Sequence, residues 1–141
     1  LRLQGREAAP QAFASACIEA QDTQSDFVQA LSRSLAASGV RLEGDPARAE
    51  AIVRVSRDEV KERVLSVSAR NIPREYELAH RVEFSVQKGG AELLAPREVL
   101  LSRDFTFDET ILLAKEREQR LLEDALARDL AAIVMRQLAA L

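Results

Sequence analysis

The stretch that decides the fold runs over residues 75–86: Glu75-Tyr76-Glu77-Leu78-Ala79-His80-Arg81-Val82-Glu83-Phe84-Ser85-Val86. Tyr76, Leu78, His80, Val82, Phe84 and Val86 share one parity, while Glu77, Arg81, Glu83 and Ser85 occupy the other. Successive side chains of a strand point to opposite faces, so this alternation predicts a strand with one apolar side. Downstream, Lys88-Gly89-Gly90 has the residues of a hairpin turn. The chain then returns over residues 93–107 with Val99, Leu101, Phe105 and Phe107 on one parity. Upstream, Ile52, Val53 and Val55 open a strand that resumes over residues 64–69, with the charged segment 57–63 between. A bulge or bend in one long strand accounts for that interruption. The middle of the chain is therefore an antiparallel meander. Its strands, about 12 to 16 residues each, would reach some 40 to 50 Å, well beyond the usual strand.

An apolar sheet face has to be covered, and two amphipathic helices are available. Ser25 is a candidate N-cap with Asp26 in the first turn; Phe27, Leu31 and Leu35 recur every four residues beside Val28, and Gly39 stands at the left-handed C-terminal position. Residues 112–141 carry Leu122, Leu126, Leu130, Ile133, Val134, Leu138 and Leu141 at helical spacing. Such a helix would be roughly 40 Å long. Before the first helix, Phe13, Ser15 and Cys17 alternate with Ala14, Ala16 and Ile18 as a short strand, preceded by an aperiodic lead-in over residues 1–10. The expected fold is an α+β two-layer sandwich, β-α-β-β-β-α. Both helices pack on one face of an elongated four-stranded mixed sheet, in a single domain over residues 1–141. If the first two strands are parallel, their helical crossover should be right-handed. A sandwich of this length suits a rod inserted into a partner better than a compact pocket enzyme.

Composition agrees with a folded globular chain: of 141 residues 47% are hydrophobic and 30% charged, with only 5 Gly and 4 Pro, which excludes collagen-like, low-complexity and disordered classes. A formal net charge of −3 argues against a dedicated nucleic-acid binder. With one cysteine, Cys17, and one histidine, His80, neither an internal disulfide nor a usual zinc cluster can be assembled. No metal and no cofactor are expected. No apolar run approaches the roughly 20 residues of a membrane span; the best candidate is interrupted by Arg128, Asp129 and Arg136. The chain begins with Leu1 rather than Met and without a basic-then-apolar leader, from which we expect a processed or trimmed protein.

Individual residues point away from catalysis. His80 sits in the apolar parity of its strand with no partner at metal-ligand spacing, so a buried, hydrogen-bonded structural role is expected. Cys17, among small neighbours, reads as a packing residue. Arg103 interrupts the apolar parity between Leu101 and Phe105 and must either emerge at the sheet edge or find a partner. Gly89-Gly90 is followed by neither a phosphate-binding helix nor Lys-Ser/Thr, and no G-x-S-x-G, H-E-x-x-H or C-x-x-C occurs. Glu116, Glu118, Glu123 and Asp124 alternate with Lys115, Arg117 and Arg120 as on a solvated helix face. Charge is uneven: residues 41–74 hold 8 basic against 6 acidic side chains. Arg70, beside Asn71 and Pro73 in the connection between two long strands, is a candidate anion contact, its alternative being an ordinary solvated loop arginine.

The sequence resembles the LptE family of outer-membrane lipoproteins, which work with the β-barrel protein LptD in lipopolysaccharide assembly. The resemblance rests on Leu1-Arg2-Leu3-Gln4-Gly5 and on Arg70-Asn71 leading into Glu75-Tyr76-Glu77-Leu78. It rests also on the strand end at 103–108 with its two phenylalanines, and on Leu113-Ala114-Lys115-Glu116-Arg117-Glu118-Gln119 ahead of the long terminal helix. It implies a two-helix, four-stranded plug of the LptD barrel that helps the barrel assemble and binds lipopolysaccharide. Arg70 and Lys115 are the implied lipopolysaccharide contacts, the alternative for Lys115 being an ion pair with Glu118 or the neighbours around Gln119. The family's lipid-bearing cysteine is expected upstream of Leu1, since Cys17 lies inside a strand. That would put the full-length protein on the periplasmic side of the outer membrane. The alternative function is a stand-alone periplasmic interaction or ligand-binding module of the same sandwich class.

Overall fold

The alternation over residues 75–86 becomes the centre of the longest hairpin in the molecule. The computed structural model describes residues 9–106 and 112–141; the Leu1-Arg2-Leu3-Gln4-Gly5 segment, Phe107 and Asp108 lie outside them. Three long strands, β3 (Ala51–Val67), β4 (Pro73–Lys88) and β5 (Ala91–Thr106), form the antiparallel meander. At about 3.3 Å per residue each spans roughly 50 Å. Gly89 and Gly90 both take positive φ, 59° and 79°, closing a two-residue turn between the paired Lys88 and Ala91. That double left-handed turn matches the strands' right-handed twist.

Strand β1 (Ser15–Ala20) pairs in parallel with β3 through Ala16↔Ala51 to Ala20↔Val55, and the helix α1 (Asp26–Ala37) makes the crossover. Ser25 Oγ accepts the Val28 N–H at 3.1 Å, capping α1 as its sequence predicts. At the other end Gly39, at φ 102°, lets the Val40 N–H reach the Leu35 carbonyl and the Gly39 N–H the Ala36 carbonyl. This is the double C-terminal closure for which glycine is favoured.

The sheet has five strands rather than the four expected. Directly after α1, β2 (Arg41–Leu42) lies parallel to β1 on its outer side, giving the order β2-β1-β3-β4-β5. The Arg41 N–H donates to the Ala14 carbonyl and the Glu43 N–H to the Ala16 carbonyl. Two exposed residues leave no alternation to read, and so the pairing leaves no trace in the hydrophobic pattern.

Helix α2 (Leu112–Ala139) runs the length of the meander beside α1. Phe27, Leu31 and Leu35 of α1 and Leu130, Val134 and Leu138 of α2 meet Val53, Val82, Phe84 and Val86 of the sheet in the main core. A second cluster, Tyr76, Leu78, Phe105 and Leu126, lies towards the β3–β4 loop. The interruption expected in β3 is a bulge: the register with β4 shifts between Val55 and Arg57, and again around Leu65. The first shift switches the helix-facing parity from Val53 and Val55 to Asp58, Val60, Glu62 and Val64, opposite Val82, His80, Leu78 and Tyr76.

Candidate functional site

At the end of the meander away from the Gly89-Gly90 turn, Val67 and Pro73 are joined by a loop ordered around Ser68. The Ser68 N–H donates to the Ile72 carbonyl at 2.7 Å, and the Ser68 hydroxyl accepts the Arg70 and Ile72 N–H groups at 3.2 Å. Asn71, at φ 65°, takes the left-handed conformation that asparagine tolerates, which turns the chain back towards β4 and leaves Arg70 exposed at the tip.

Lys115 enters the same end from the first turns of α2. Its Nζ lies 2.9 Å from Glu62 Oε2 and 4.5 Å from the centroid of the Tyr76 ring, which in turn stacks on Phe105 at 5.3 Å. The ion pair is therefore with Glu62 of β3, across the layer, and not with Glu118 on its own helix. Tyr76 follows Pro73 by three positions, about 10 Å of strand. Arg70 and Lys115 thus share one end of the sandwich, one on the loop and one under the helix, without direct contact between them in any described interaction. An ammonium keeps three donors, so Lys115 can hold Glu62 and still present an N–H to an anion.

A second polar cluster sits under the N-terminus of α1. His80, 2% exposed, lies with Nε2 2.7 Å from Asp58 Oδ1, and Ser25 Oγ donates to Asp58 Oδ2 at 2.6 Å while capping the helix. Phe27 packs edge-on against the imidazole at 6.2 Å. Burial pushes the Asp58 carboxyl up, but hydrogen bonds from His80 and Ser25, with the attraction of His80, outweigh it and hold the group below the usual carboxylate range. The expectation of a buried, partnered His80 holds at Nε2, while Nδ1 is buried without a hydrogen-bond partner among the described residues. The carboxylate stands between serine and imidazole, so the imidazole is not positioned to take the Ser25 proton, and the three groups do not form a nucleophile–base pair.

Sequence reasoning missed Asp58, because it fell in the charged run between two apolar segments. The signal was there: Val53 and Val55 have odd parity and Val60 and Val64 even, and the switch requires an intervening bulge that turns Asp58 inward. Arg103 both emerges and pairs, since it lies on the edge strand β5 and reaches Asp129 of α2 at 3.0 Å. Cys17 is buried beneath the segment after β2, its Sγ 3.8 Å from the Gly44 carbonyl. Burial pushes its thiol up, and Glu19 and Asp45 add to the effect. Among the described residues no group of His, Cys, Asp and Glu is arranged to hold a metal ion, and no helix is long and apolar enough to cross a membrane.

The other face of the meander is charged. Arg63 meets Glu77 at 3.1 Å, Arg57 lies between Glu59 and Glu98, Arg81 approaches Glu98, and Arg54 reaches Glu19 on β1. All but Arg57–Glu59, which lies within β3, run across strands, on a face that no helix covers among the described residues.

The elongated sheet with both helices on one face is a fold shared with solved bacterial lipoproteins. The solution structure of lipoprotein B from Nitrosomonas europaea is 26% identical, with a TM-score of 0.80, covering 99% of this chain and 90% of that one. The crystal structure of rare lipoprotein B from Shewanella oneidensis is 24% identical, with a TM-score of 0.76, covering 89% and 94%. The crystal structure of a minor lipoprotein from Acinetobacter baumannii is 22% identical, with a TM-score of 0.75, covering 91% and 92%. No curated protein matches the chain. The model of the LptE family, described as lipopolysaccharide-assembly, matches residues 12–138, and the chain belongs to that family.

Proposed function

We propose that this protein is an outer-membrane lipoprotein that plugs the LptD β-barrel, helps it assemble, and engages lipopolysaccharide through Arg70 and Lys115, with no catalytic step. The observation that carries the reading is that both basic residues lie at one end of a rod roughly 50 Å long, whose uncovered sheet face is a lattice of cross-strand ion pairs. The lumen of an outer-membrane barrel is polar, and a face of paired charges can lie in it without exposing an apolar surface to water. Lipid A phosphates are anions of the kind that Arg and Lys recognise by charge-assisted hydrogen bonds. Attachment is by an acylated cysteine upstream of Leu1, and the described chain acts as one domain on the periplasmic side.

The test of the plug is co-expression with affinity-tagged LptD. The reading predicts that this protein co-purifies with the barrel and that assembled barrel is lost when it is depleted. Normal LptD assembly in its absence would overturn the plug role.

A further inference from the structure

Beyond its last pairing with β1 at Val55, β3 continues with β4 on one side only; among the described residues no strand pairs with its other edge over positions 56–67. An unpaired edge displays backbone N–H and C=O groups that can receive another strand. Between the bulges at Ser56 and Leu65 this edge is regular, keeping register with β4 from Arg57↔Glu83 to Val64↔Tyr76. A cleft of about 270 Å³, walled by Ala20, Asp22, Val55 and Asp58, opens at its head where β1 leaves the sheet.

The side chains along the edge define what would fit. On the helix side Asp58 is held by His80 and Ser25, and Glu62 by Lys115, which leaves Val60 and Val64 open at 43% and 46% exposure. Leu65, Val67 and Ile72 are further exposed apolar side chains towards the loop. On the outer side the column is Arg57, Glu59, Lys61 and Arg63; Arg57 and Arg63 are paired with Glu98 and Glu77 of the meander, and Lys61 is the cation of the column with no ion pair among the described residues. Antiparallel pairing about Val60 with the β3 of a second copy would set Arg57 against Arg63, and like charges directly opposite are destabilising, while Glu59 would meet Lys61.

We propose that this edge of β3 is a strand-addition site for an extended segment of a partner polypeptide. The segment would carry apolar side chains towards Val60 and Val64 and an acidic side chain towards Lys61. Main-chain hydrogen bonds supply the affinity and the two side-chain columns the selectivity.

The probe is a soluble acetylated peptide of about ten residues, a strand length matching the edge, alternating valine with glutamate and threonine. Two further versions are N-methylated on alternate residues, one set on each edge of the peptide, and another carries lysine in place of glutamate. Wild-type protein should bind the parent peptide and one N-methylated version but not the other, because only one edge of an added strand pairs. Val60→Lys should weaken binding about ten-fold or more, a loss of one apolar contact and gain of an edge charge. Lys61→Glu should reverse the preference towards the lysine peptide. Both substitutions replace exposed side chains, and unchanged circular dichroism and urea midpoints confirm the fold. Absence of binding to wild type, equal binding of both N-methylated peptides, or a wild-type dimer dispersed by Val60→Lys would each overturn the proposal. Peptide binding is read on the isolated protein and the barrel-plug reading on co-purification with LptD, so failure here is separable from failure of that reading.

Discussion

His80 Nε2 and Asp58 Oδ1 lie 2.7 Å apart beneath the N-terminus of α1, joining β3 and β4 at the point where the first helix rests on the sheet. Asp58 has a lowered folded-state pKa, so its contribution is present above the ordinary carboxylate value of about 3.9 and is lost as pH falls through its lower folded value. Asp58→Asn is expected to cost about 1–3 kcal/mol at neutral pH, the range for hydrogen bonds to a charged, partly buried group. Urea unfolding at neutral pH and again below about pH 3 checks this: the gap between wild type and variant should narrow in acid. An equal gap at both would show that the carboxylate charge is not what matters.

Ser25 performs two tasks with one hydroxyl, accepting from Val28 and donating to Asp58. Ser25→Ala should cost about 1–2 kcal/mol, the upper part of the range for a lost N-cap. A double-mutant cycle with Asp58→Asn should give a coupling of at least about 0.5 kcal/mol. Strict additivity would mean that cap and carboxylate act independently.

The long strands and the pattern of cover explain which features of this fold are legible. Alternation in β4 is visible because every helix-facing side chain from Tyr76 to Val86 is buried. The cap at Ser25 and the closure at Gly39 are visible because each depends on one residue type in one backbone conformation. Strand β2 is invisible because two residues carry no period. The pairing of Lys115 with Glu62 and Tyr76 is invisible for another reason: it joins positions far apart in sequence, and depends on how α2 is laid across the sheet.

Arg103 and Leu126 should separate surface pairing from core packing at the loop end. The Arg103–Asp129 pair has side chains 54% and 50% exposed, so Arg103→Ala should cost no more than about 1 kcal/mol. Leu126 is fully buried against Tyr76, Leu78 and Phe105, and Leu126→Ala should cost about 2–5 kcal/mol. Denaturant midpoints compare the two, and a larger loss for Arg103→Ala would contradict the assignment of stability to the second cluster.

The Cys17 thiol, buried and pushed up by burial and by Glu19 and Asp45, should react with a thiol reagent slowly in the native protein and rapidly once it is unfolded. Rapid labelling at neutral pH under native conditions would contradict the packing of the segment that covers it.

Lipopolysaccharide binding by the purified protein, measured at about 50 mM and about 200 mM salt for wild type, Arg70→Asp and Lys115→Asp, tests the central claim most directly. The account predicts that binding weakens with salt, that each folded variant loses about ten-fold or more in affinity, and that losing one cation reduces the salt dependence. Binding by both variants at the wild-type level would contradict it and remove Arg70 and Lys115 from the lipopolysaccharide site.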